Sequence, residues 1–359
     1  MRRGGSIPQD SATCTLRRVG RSVNGHEVID MRLSVHLLYP RYDKATLVDL
    51  RARLQPSIHL TAGPDLPSPA GCHIIIGGRL EREQITANPS LQALIVPWAG
   101  IPSATRELML DFPHIAVHNL HHNALPVAEH VLALLLAAAK LIVPMDRSLR
   151  GHNWTPRYEP DPSILLDGRT ALVLGYGAIG RHVARLCKAL GMEVVAVRRQ
   201  ASRASVDTPV ETGVAPIESL HRLLPRAGVL LICLPQTPET LGLIGAEELA
   251  LLPPDAVLVN VGRGPIVDEA ALYHALRDGT LYAAGIDVWY NYPTGEAARA
   301  HTPPSAYPFH ELDNVVMSPH RAGGSADTER LRRAHLAELL NTAARGDPMP
   351  NRVDLAAGY

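Results

Sequence analysis

Cysteine is scarce in this sequence, and its spacing matters more than its number. The four cysteines lie far apart and form no CxxC pair: Cys14, Cys72, Cys187 and Cys233. Such spacing excludes the cysteine motifs of zinc sites and the disulfide framework of a small secreted domain. We therefore expect no metal site, and a location in a reducing compartment, the cytoplasm.

An excess of charge of either sign is also missing, because 35 basic residues balance 35 acidic residues. Zero net charge argues against a nucleic-acid-binding protein and against a polybasic membrane-surface protein. Long hydrophobic runs are missing as well: the most apolar one, Val131 to Ala139, is far shorter than the roughly 20 residues needed to span a bilayer. We expect no nucleic-acid partner and no membrane partner.

The first 30 residues differ from the rest of the chain, because they are polar, rich in arginine and without periodicity. They match neither the alternation of a strand nor the 3.6-residue repeat of a helix. We predict that residues 1–30 form a disordered N-terminal extension, or lie upstream of a start at Met31.

From Met31 onward, short apolar runs alternate with helix-like stretches. The runs are Leu33–Tyr39, His73–Ile76, Leu94–Val96 and Ile115–Asn119. Continuous apolar runs are typical of strands in a parallel sheet that is buried on both faces. The stretch Lys44–Leu54 predicts a helix, and Val127–Val143 predicts one that is buried on all sides. This part of the chain is predicted to be an α/β domain.

A second series of strand-like runs begins after the loop around Pro156–Pro162. Its runs are Thr170–Leu174, Glu193–Val197, Val229–Leu234, Ala256–Val261, Ala283–Val288 and Val315–Ser318. Helical stretches separate them, and the amphipathic stretch Thr328–Ala344 follows the last one. Strands that alternate with helices predict a second α/β domain with a parallel sheet.

A glycine-rich loop follows the first strand of this second series and opens a helix. Its residues are Gly175, Tyr176, Gly177, Ala178, Ile179 and Gly180. The GxGxxG spacing is informative because it lies between a strand and a helix. The first glycine allows a tight turn, the second has no side chain to obstruct a pyrophosphate, and the third permits close packing of helix and strand. The helix N-terminus then faces the phosphates, so the loop predicts a dinucleotide cofactor.

The end of the next strand predicts which dinucleotide is bound. An NAD enzyme usually has an acidic residue there, about 20 residues after the loop, that holds the ribose hydroxyls. Here the strand ends in Arg198 and Arg199, and the first acidic residue is Asp207. Guanidinium groups pair with a 2′-phosphate. The pair favours NADP over NAD, although an arginine-rich surface loop would give the same pattern.

Three further segments, each at the end of a predicted strand, complete a larger pattern. They are Val259–Leu272, Ala284–Trp289 and Val316–His320. Together with the glycine loop, and in this order, they resemble the D-isomer-specific 2-hydroxyacid dehydrogenase family over roughly residues 70–355. The resemblance implies two Rossmann-like domains with parallel sheets: a dinucleotide-binding domain, residues 127–323, inserted into a flavodoxin-like substrate domain, residues 31–126 and 324–359. It also places the helix at Val127–Val143 at the domain hinge and at a homodimer contact.

The resemblance also implies roles for single residues. Arg263 matches the arginine that binds the substrate carboxylate and carbonyl together. His320 matches the histidine that is the general acid in reduction and the base in oxidation. Asp287 matches the acidic residue that faces the nicotinamide carboxamide. Beyond the glycine loop and the arginine pair, the implied cofactor site contains Leu234, Pro235, Val261, Asp287, His320 and Gly323.

Two N-terminal loops, 77–79 and 98–100, match family loops that take up the substrate carboxylate through backbone amides. The implied substrate-binding residues are Gly78, Arg79, Ala99, Gly100, His122 and Arg263. Arg79, His121 and His122 would suit a second anionic group on the substrate, unless they are solvated loop residues.

One departure from the family pattern concerns the partner of the histidine. Most members of the family have a glutamate there, whereas this chain has Tyr292, directly before Pro293. Loss of the carboxylate removes the charge that favours imidazolium and the acceptor that orients the ring. Tyr292 can still hydrogen-bond the imidazole, and Glu296 or Glu311 are alternative sources of charge.

The expected function is NADP-preferring interconversion of a small anionic 2-keto acid and its D-2-hydroxy acid by a homodimer. Two alternatives stay open: a dinucleotide-sensing, corepressor-like binding protein with little turnover, and a formate- or phosphite-type dehydrogenase. Formate oxidation needs no proton transfer, and the family members that oxidise formate also lack the glutamate. Tyr292 therefore admits the second alternative.

Overall fold

The structure is a computed structural model that describes residues 32–38, 43–67, 71–199 and 213–357. These residues form two compact units. The first unit contains the described residues up to His122 and those from Glu329 onward, and the second unit is Asn123–Thr328. The domain boundaries expected from the sequence, after residues 126 and 323, differ from these by a few residues. The expected N-terminal extension, residues 1–30, lies outside the described residues.

The first unit is a parallel five-stranded sheet with helices on both faces. Its strands are β1 (Leu33–Leu37), β2 (Ile58–Ala62), β3 (Ile74–Ile76), β4 (Ala93–Val96) and β5 (Ala116–Asn119). They are hydrogen-bonded in the order β2-β1-β3-β4-β5, which is the flavodoxin-like order. Its helices are α1 (Lys44–Ala52), α2 (Arg82–Thr86), α3 (Ser103–Leu110) and the last helix of the chain, α10 (Thr328–Arg345).

The strand residues of this unit fill two cores, one on each face of the sheet. Ile74 and Ile76 belong to the core that α10 covers, whereas Ile75 belongs to the opposite one, and all three are fully buried. Continuous apolar runs follow from burial on both faces. The sequence does not predict the edge strand β2, because its residues are partly exposed and form no continuous apolar run.

The second unit is a parallel seven-stranded sheet. Its strands are β6 (Thr170–Leu174), β7 (Glu193–Arg198), β8 (Gly213–Pro216), β9 (Val229–Ile232), β10 (Val257–Asn260), β11 (Ala283–Ile286) and β12 (Val315–Met317). The order β12-β11-β10-β9-β6-β7-β8 reverses direction between β6 and β9, and doubly wound sheets bind ligands at the carboxyl edge beside such a reversal. The predicted fold, two Rossmann-like domains with parallel sheets, is confirmed. The helices are α4 (Ala124–Ala139), α5 (Ile142–Arg150), α6 (Ala178–Ala189), α7 (Leu220–Leu223), α8 (Ala246–Leu251) and α9 (Glu269–Arg277).

The single helix predicted over Val127–Val143 is wrong, because the structure has two helices there, α4 and α5, bent by 66°. Leu141, between them, has a left-handed φ of 50°. Pro144 lies in the first turn of α5, and a proline inside a continuous helix would clash with the carbonyl four residues earlier. Burial stops at the break, since Ile142 is 54% exposed. Within the described residues no single helix is long and apolar enough to cross a membrane, and α4 with α5 meets that criterion only as a bent pair.

Candidate active site

The glycine loop joins β6 to α6 in a turn that requires glycine at its first position. Gly175 has a left-handed φ of 98°, and a Cβ there would lie 2.9 Å from the carbonyl oxygen of Cys233. The N–H of Gly175 donates to the carbonyl of Val197 at 2.9 Å. The loop therefore packs against the carboxyl ends of β7 and β9, next to the point where the strand order reverses.

The other two glycines of the loop have different surroundings. A Cβ on Gly180 would lie 1.9 Å from the Gly175 carbonyl oxygen, so helix and loop are too close for any side chain. Nothing lies within 4 Å of the Cβ position of Gly177, so the space beside the start of α6 is open. An open helix N-terminus fits a dinucleotide pyrophosphate, with Ala178 and Ile179 supplying first-turn N–H groups.

Tyr176, also predicted in the cofactor site, has a buried side chain that is only 4% exposed and packs in the core of the second unit. That side chain is therefore not available to a cofactor. The arginine pair ends β7: Arg198 is its last residue, and Arg199 is exposed directly after it. Because Val197 accepts the Gly175 N–H, the pair lies beside the glycine loop. Asp207 lies outside the described residues.

His320 follows β12 and has an unusual backbone. Its φ of 55° is left-handed, which costs an ordinary residue about 1–2 kcal/mol and persists only where the surroundings hold it. The N–H of His320 donates to the carbonyl of Asp287 at 2.8 Å. Its ring nitrogen Nδ1 lies 2.9 Å from the phenolic oxygen of Tyr292. The ring is therefore held at Nδ1, which leaves Nε2 as the atom that can exchange a proton with a ligand.

Tyr292 is in turn held by the main chain, since the N–H of Trp289 donates to its phenolic oxygen at 3.1 Å. Burial raises the pKa of Tyr292 above its ordinary value, so the phenol is neutral at neutral pH. Glu296 pairs with Arg299 at 2.8 Å, and Glu311 lies 3.9 Å from His310. Neither glutamate therefore supplies the charge beside the imidazole in this structure.

Arg263 follows β10 on an extended backbone and is exposed. Its Nη1 donates to the carbonyl of Gly262 at 2.7 Å, and its own carbonyl accepts from Asn260 Nδ2 at 3.1 Å. Partial burial and then the Arg263 guanidinium lower the pKa of His320 below its ordinary value, while the carboxylate of Asp287 opposes them. Arg263 and His320 follow β10 and β12 of one parallel sheet, so both lie at its carboxyl edge.

Asp287 follows β11 and is 1% exposed. One carboxylate oxygen accepts from the Ser318 hydroxyl at 2.5 Å and from the Arg321 N–H at 2.8 Å. The other accepts from the Ala322 N–H at 3.0 Å. The carboxylate thus accepts hydrogen bonds from residues on both sides of His320.

The remaining predicted cofactor residues lie at the same edge of the sheet. Leu234 and Pro235 follow β9, Val261 follows β10, and Gly323 comes shortly after β12. A Cβ on Gly323 would lie 2.9 Å from Asn123 Nδ2. The fold therefore brings the predicted cofactor residues of the second unit to the carboxyl ends of its strands.

In the first unit, the loop after β3 is packed tightly. A Cβ on Gly78 would lie 1.9 Å from the indole ring of Trp98, and the Gly78 carbonyl accepts from the buried Thr105 hydroxyl at 2.7 Å. The Gly77 N–H donates to Ile95 at 3.0 Å. That amide belongs to the sheet, so Gly78 and Arg79 are the residues of this loop whose amides remain candidates for a ligand.

The loop after β4 is held in a similar way, because the side chain of Asn119 donates to the Ala99 carbonyl at 2.7 Å. Ala99 and Gly100 are partly exposed and Arg79 is exposed. His122 is only 3% exposed, and its Nδ1 has no hydrogen-bond partner among the described residues. Burial, followed by the charge of Arg332, lowers the pKa of His122 to about 4. It is neutral at neutral pH, so it does not supply the positive charge that its sequence position suggested.

Sequence reasoning missed the residues that support these loops: Thr105, Asn119, Trp289 and Ser318. Each acts on a loop that is distant in sequence or through a main-chain atom, which no local motif reveals. Ser318 could have been found from the sequence, because it lies two residues before His320. Among the described residues, no three histidine, cysteine, aspartate or glutamate side chains group as metal ligands.

Comparison with known proteins places this site in a family. The sequence profile "D-isomer specific 2-hydroxyacid dehydrogenase, NAD binding domain" matches residues 132–322. The match lies within the second unit and covers more than half of the chain, so the chain belongs to the D-isomer specific 2-hydroxyacid dehydrogenase family.

Relatives with assigned activities fall in the same family. The chain is 34% identical to D-3-phosphoglycerate dehydrogenase of Mycobacterium tuberculosis over 279 residues, which are 78% of this chain and 50% of that protein. It is 40% identical to glyoxylate reductase of Aeropyrum pernix over 233 residues, 63% of this chain and 65% of that protein. The chain thus matches half the length of the phosphoglycerate dehydrogenase.

A solved structure supports the fold over nearly the whole chain. It is a D-isomer specific 2-hydroxyacid dehydrogenase from Xanthobacter autotrophicus in complex with NADPH and MES. It is 26% identical to this chain, with a TM-score of 0.73, and the alignment covers 91% of this chain and 99% of that one. A nicotinamide dinucleotide is therefore the cofactor class of this chain.

Proposed function

We propose that this protein reduces a small anionic 2-keto acid to its D-2-hydroxy acid with NADPH, or catalyses the reverse reaction. The observation that carries the proposal is that Arg263, His320 and the open glycine loop follow strands of one parallel sheet and lie at its carboxyl edge. A guanidinium and a ring nitrogen available for proton exchange are what reduction of a keto acid needs.

The cofactor, Arg263 and His320 each have a separate role in the proposed reaction. When bound, a nicotinamide dinucleotide would supply the hydride for the carbonyl carbon. Arg263 binds the substrate carboxylate and polarises the carbonyl, because a guanidinium can donate to both oxygens at once. His320 as imidazolium gives the proton on Nε2 to the carbonyl oxygen, completing the hydroxyl group. His320 is then neutral and keeps its proton on Nδ1. This N–H donates a hydrogen bond to the phenolic oxygen of Tyr292.

Tyr292 makes this acid weaker than one that is paired with a carboxylate. The phenol is neutral, and the N–H of Trp289 already occupies one lone pair of its oxygen. With lowering contributions from burial and from Arg263, the pKa of His320 lies below its ordinary value. Reduction should therefore be fastest under mildly acidic conditions and weaken as the pH rises.

The cofactor is proposed to be NADP in preference to NAD. Arg198 and Arg199 stand beside the glycine loop, where a dinucleotide fold places the adenosine ribose. The solved relative contains NADPH. A small substrate is supported by the relatives named for glyoxylate and D-3-phosphoglycerate. Gly78, Arg79, Ala99 and Gly100 are proposed as substrate-binding residues, the protein as a homodimer, and its location as the cytoplasm.

The test is a screen of NADPH and NADH oxidation with glyoxylate, hydroxypyruvate, branched 2-keto acids and phosphonopyruvate. At least one keto acid should be reduced with NADPH at a kcat/KM that is higher than with NADH. Tight NADPH binding without turnover of any of these acids would instead support a dinucleotide-sensing protein. Because Tyr292 replaces a carboxylate, formate and phosphite are included as hydride donors to NADP+, and turnover of either without any keto acid reduction would overturn the proposal.

A further inference from the structure

His130 belongs neither to the glycine loop nor to the segments that carry the family resemblance, yet it contacts the network around His320. It is on α4, and its Nε2 lies 3.0 Å from the hydroxyl oxygen of Ser318 and 3.5 Å from the carboxylate of Asp287. Its side chain is 28% exposed. The contact joins a helix to a loop that comes 188 residues later in the chain.

The chemistry of the three groups fixes the direction of the hydrogen bonds. The carboxylate of Asp287 can only accept, so the hydroxyl proton of Ser318 points toward it across 2.5 Å. A serine hydroxyl has one proton, so its oxygen must accept from His130. The Nε2 of His130 therefore carries a hydrogen, and the order of donation is His130 to Ser318 to Asp287.

This series of hydrogen bonds ends at Asp287, the residue that holds the loop around His320 in its conformation. The Asp287 carboxylate takes hydrogen bonds from Ser318, Arg321 and Ala322, while its main-chain carbonyl takes the N–H of His320. Together these bonds bracket the left-handed backbone of His320. Trp289 adds a further anchor, since its Nε1 donates to the Ser318 carbonyl at 2.8 Å. A change in how Ser318 meets Asp287 thus changes where the imidazole of His320 lies.

We propose that His130 is a positioning residue for His320 and acts through the hydroxyl of Ser318 on Asp287. The inference rests on the proposed function for its kinetic test only, because the geometry of His320 can be observed without turnover. His130 touches neither substrate nor cofactor in this account. Its effect is confined to the orientation of Ser318 and to the loop that Asp287 holds.

The test uses the full chain with four variants: His130→Leu removes the donor, His130→Gln retains an N–H donor, Ser318→Ala removes the relay, and the fourth combines His130→Leu with Ser318→Ala. His130→Leu should lower kcat ~5–10-fold, the usual scale for a network hydrogen bond. His130→Gln should recover most of this loss. In the Ser318→Ala background, His130→Leu should have no further effect, because the relay is already absent. His221→Leu, which alters a surface histidine that pairs with Glu248, is the matched control and should leave kcat unchanged.

A second readout does not depend on catalysis. The ring resonances of His320, observed by NMR of 15N-histidine-labelled protein, should move in His130→Leu and return toward the wild-type position in His130→Gln. Unmoved His320 resonances in a folded His130→Leu variant, or effects of His130→Leu and Ser318→Ala that simply multiply, would overturn the proposal. If the resonances move as expected while no keto acid is reduced, the positioning role stands and the proposed function fails.

Discussion

The phenolic oxygen of Tyr292 lies 2.9 Å from Nδ1 of His320 and also accepts the N–H of Trp289 at 3.1 Å. The histidine thus has an oriented partner, but a neutral one. A carboxylate only accepts hydrogen bonds and adds a negative charge, whereas a phenol can accept or donate and adds none. Orientation and charge, which a glutamate supplies together, are separated in this protein. The buried carboxylate of Asp287 raises the pKa of His320, but burial and Arg263 lower it more.

The first prediction concerns the pH profile of reduction. The acid form of His320 is the active one, so kcat/KM should fall as the pH rises through its lowered pKa. Tyr292→Glu places a negative charge beside the ring and should move this alkaline limb upward by ~1 pH unit or more. Tyr292→Phe, the control of matched size, should not move it upward. An alkaline limb that Tyr292→Glu leaves in place would mean that another group already holds the charge.

The second prediction concerns the choice of cofactor. Arg198→Asp should shift the ratio of kcat/KM for NADPH to that for NADH toward NADH by ~10-fold or more, since a charge-assisted contact is worth about 1.5–3 kcal/mol before screening. Arg277→Asp is a suitable control, because α9 ends at the opposite edge of the sheet from the glycine loop. A wild-type enzyme that prefers NADH would show that the arginine pair does not select the cofactor.

The third prediction separates cofactor binding from folding. Gly177 faces open space, so Gly177→Val should still fold, with only the small loss of melting temperature that a poorer N-cap of α6 causes. Its side chain would occupy the proposed pyrophosphate site, so Kd for NADPH should rise at least ~10-fold, equivalent to about 1.4 kcal/mol. Gly295, in the same unit, also faces open space. Gly295→Val should leave Kd unchanged, and an equal Kd for Gly177→Val in a fluorescence titration would place the pyrophosphate elsewhere.

The fourth prediction concerns the loop after β3. In Gly78→Ala the new Cβ would collide with the Trp98 ring at 1.9 Å, so loop and ring must separate. KM for the keto acid should rise while Kd for NADPH stays the same, since only the proposed carboxylate-binding loop is displaced. Gly71→Ala, in the same unit and with nothing within 4 Å, is the control. The role of this loop would be refuted by steady-state kinetics in which both variants behave as wild type.

The sequence predicts those features whose cause is local. The glycine loop, Arg263 and His320 each follow an apolar strand directly, and the carboxyl ends of parallel strands meet at one edge of a sheet. The edge strand β2 escapes prediction because the polar residues His59 and Thr61 interrupt its apolar run. The break at Leu141 was signalled by Pro144, whose position in a first turn requires a new helix to begin there.

Contacts between distant segments lie beyond such reasoning. Thr105 supports Gly78 from a helix 27 residues away, and His130 reaches Ser318 across 188 residues. The burial that makes His122 neutral likewise depends on the fold, since its cause is packing and the neighbouring Arg332 on α10. The resemblance gave the place of Tyr292, but only the structure shows the bond from Trp289 that orients its hydroxyl.

In the proposed reaction His320 supplies the proton for reduction of a 2-keto acid, and His320→Gln removes that acid. The measurement is kcat/KM for NADPH-dependent reduction of the best keto acid from the screen. It is taken at pH 6, where a larger fraction of His320 is imidazolium than at neutral pH. We expect a fall on the order of 10² or more, the usual contribution of a general acid. A variant that folds, binds NADPH and keeps kcat/KM within a few-fold of wild type would contradict it.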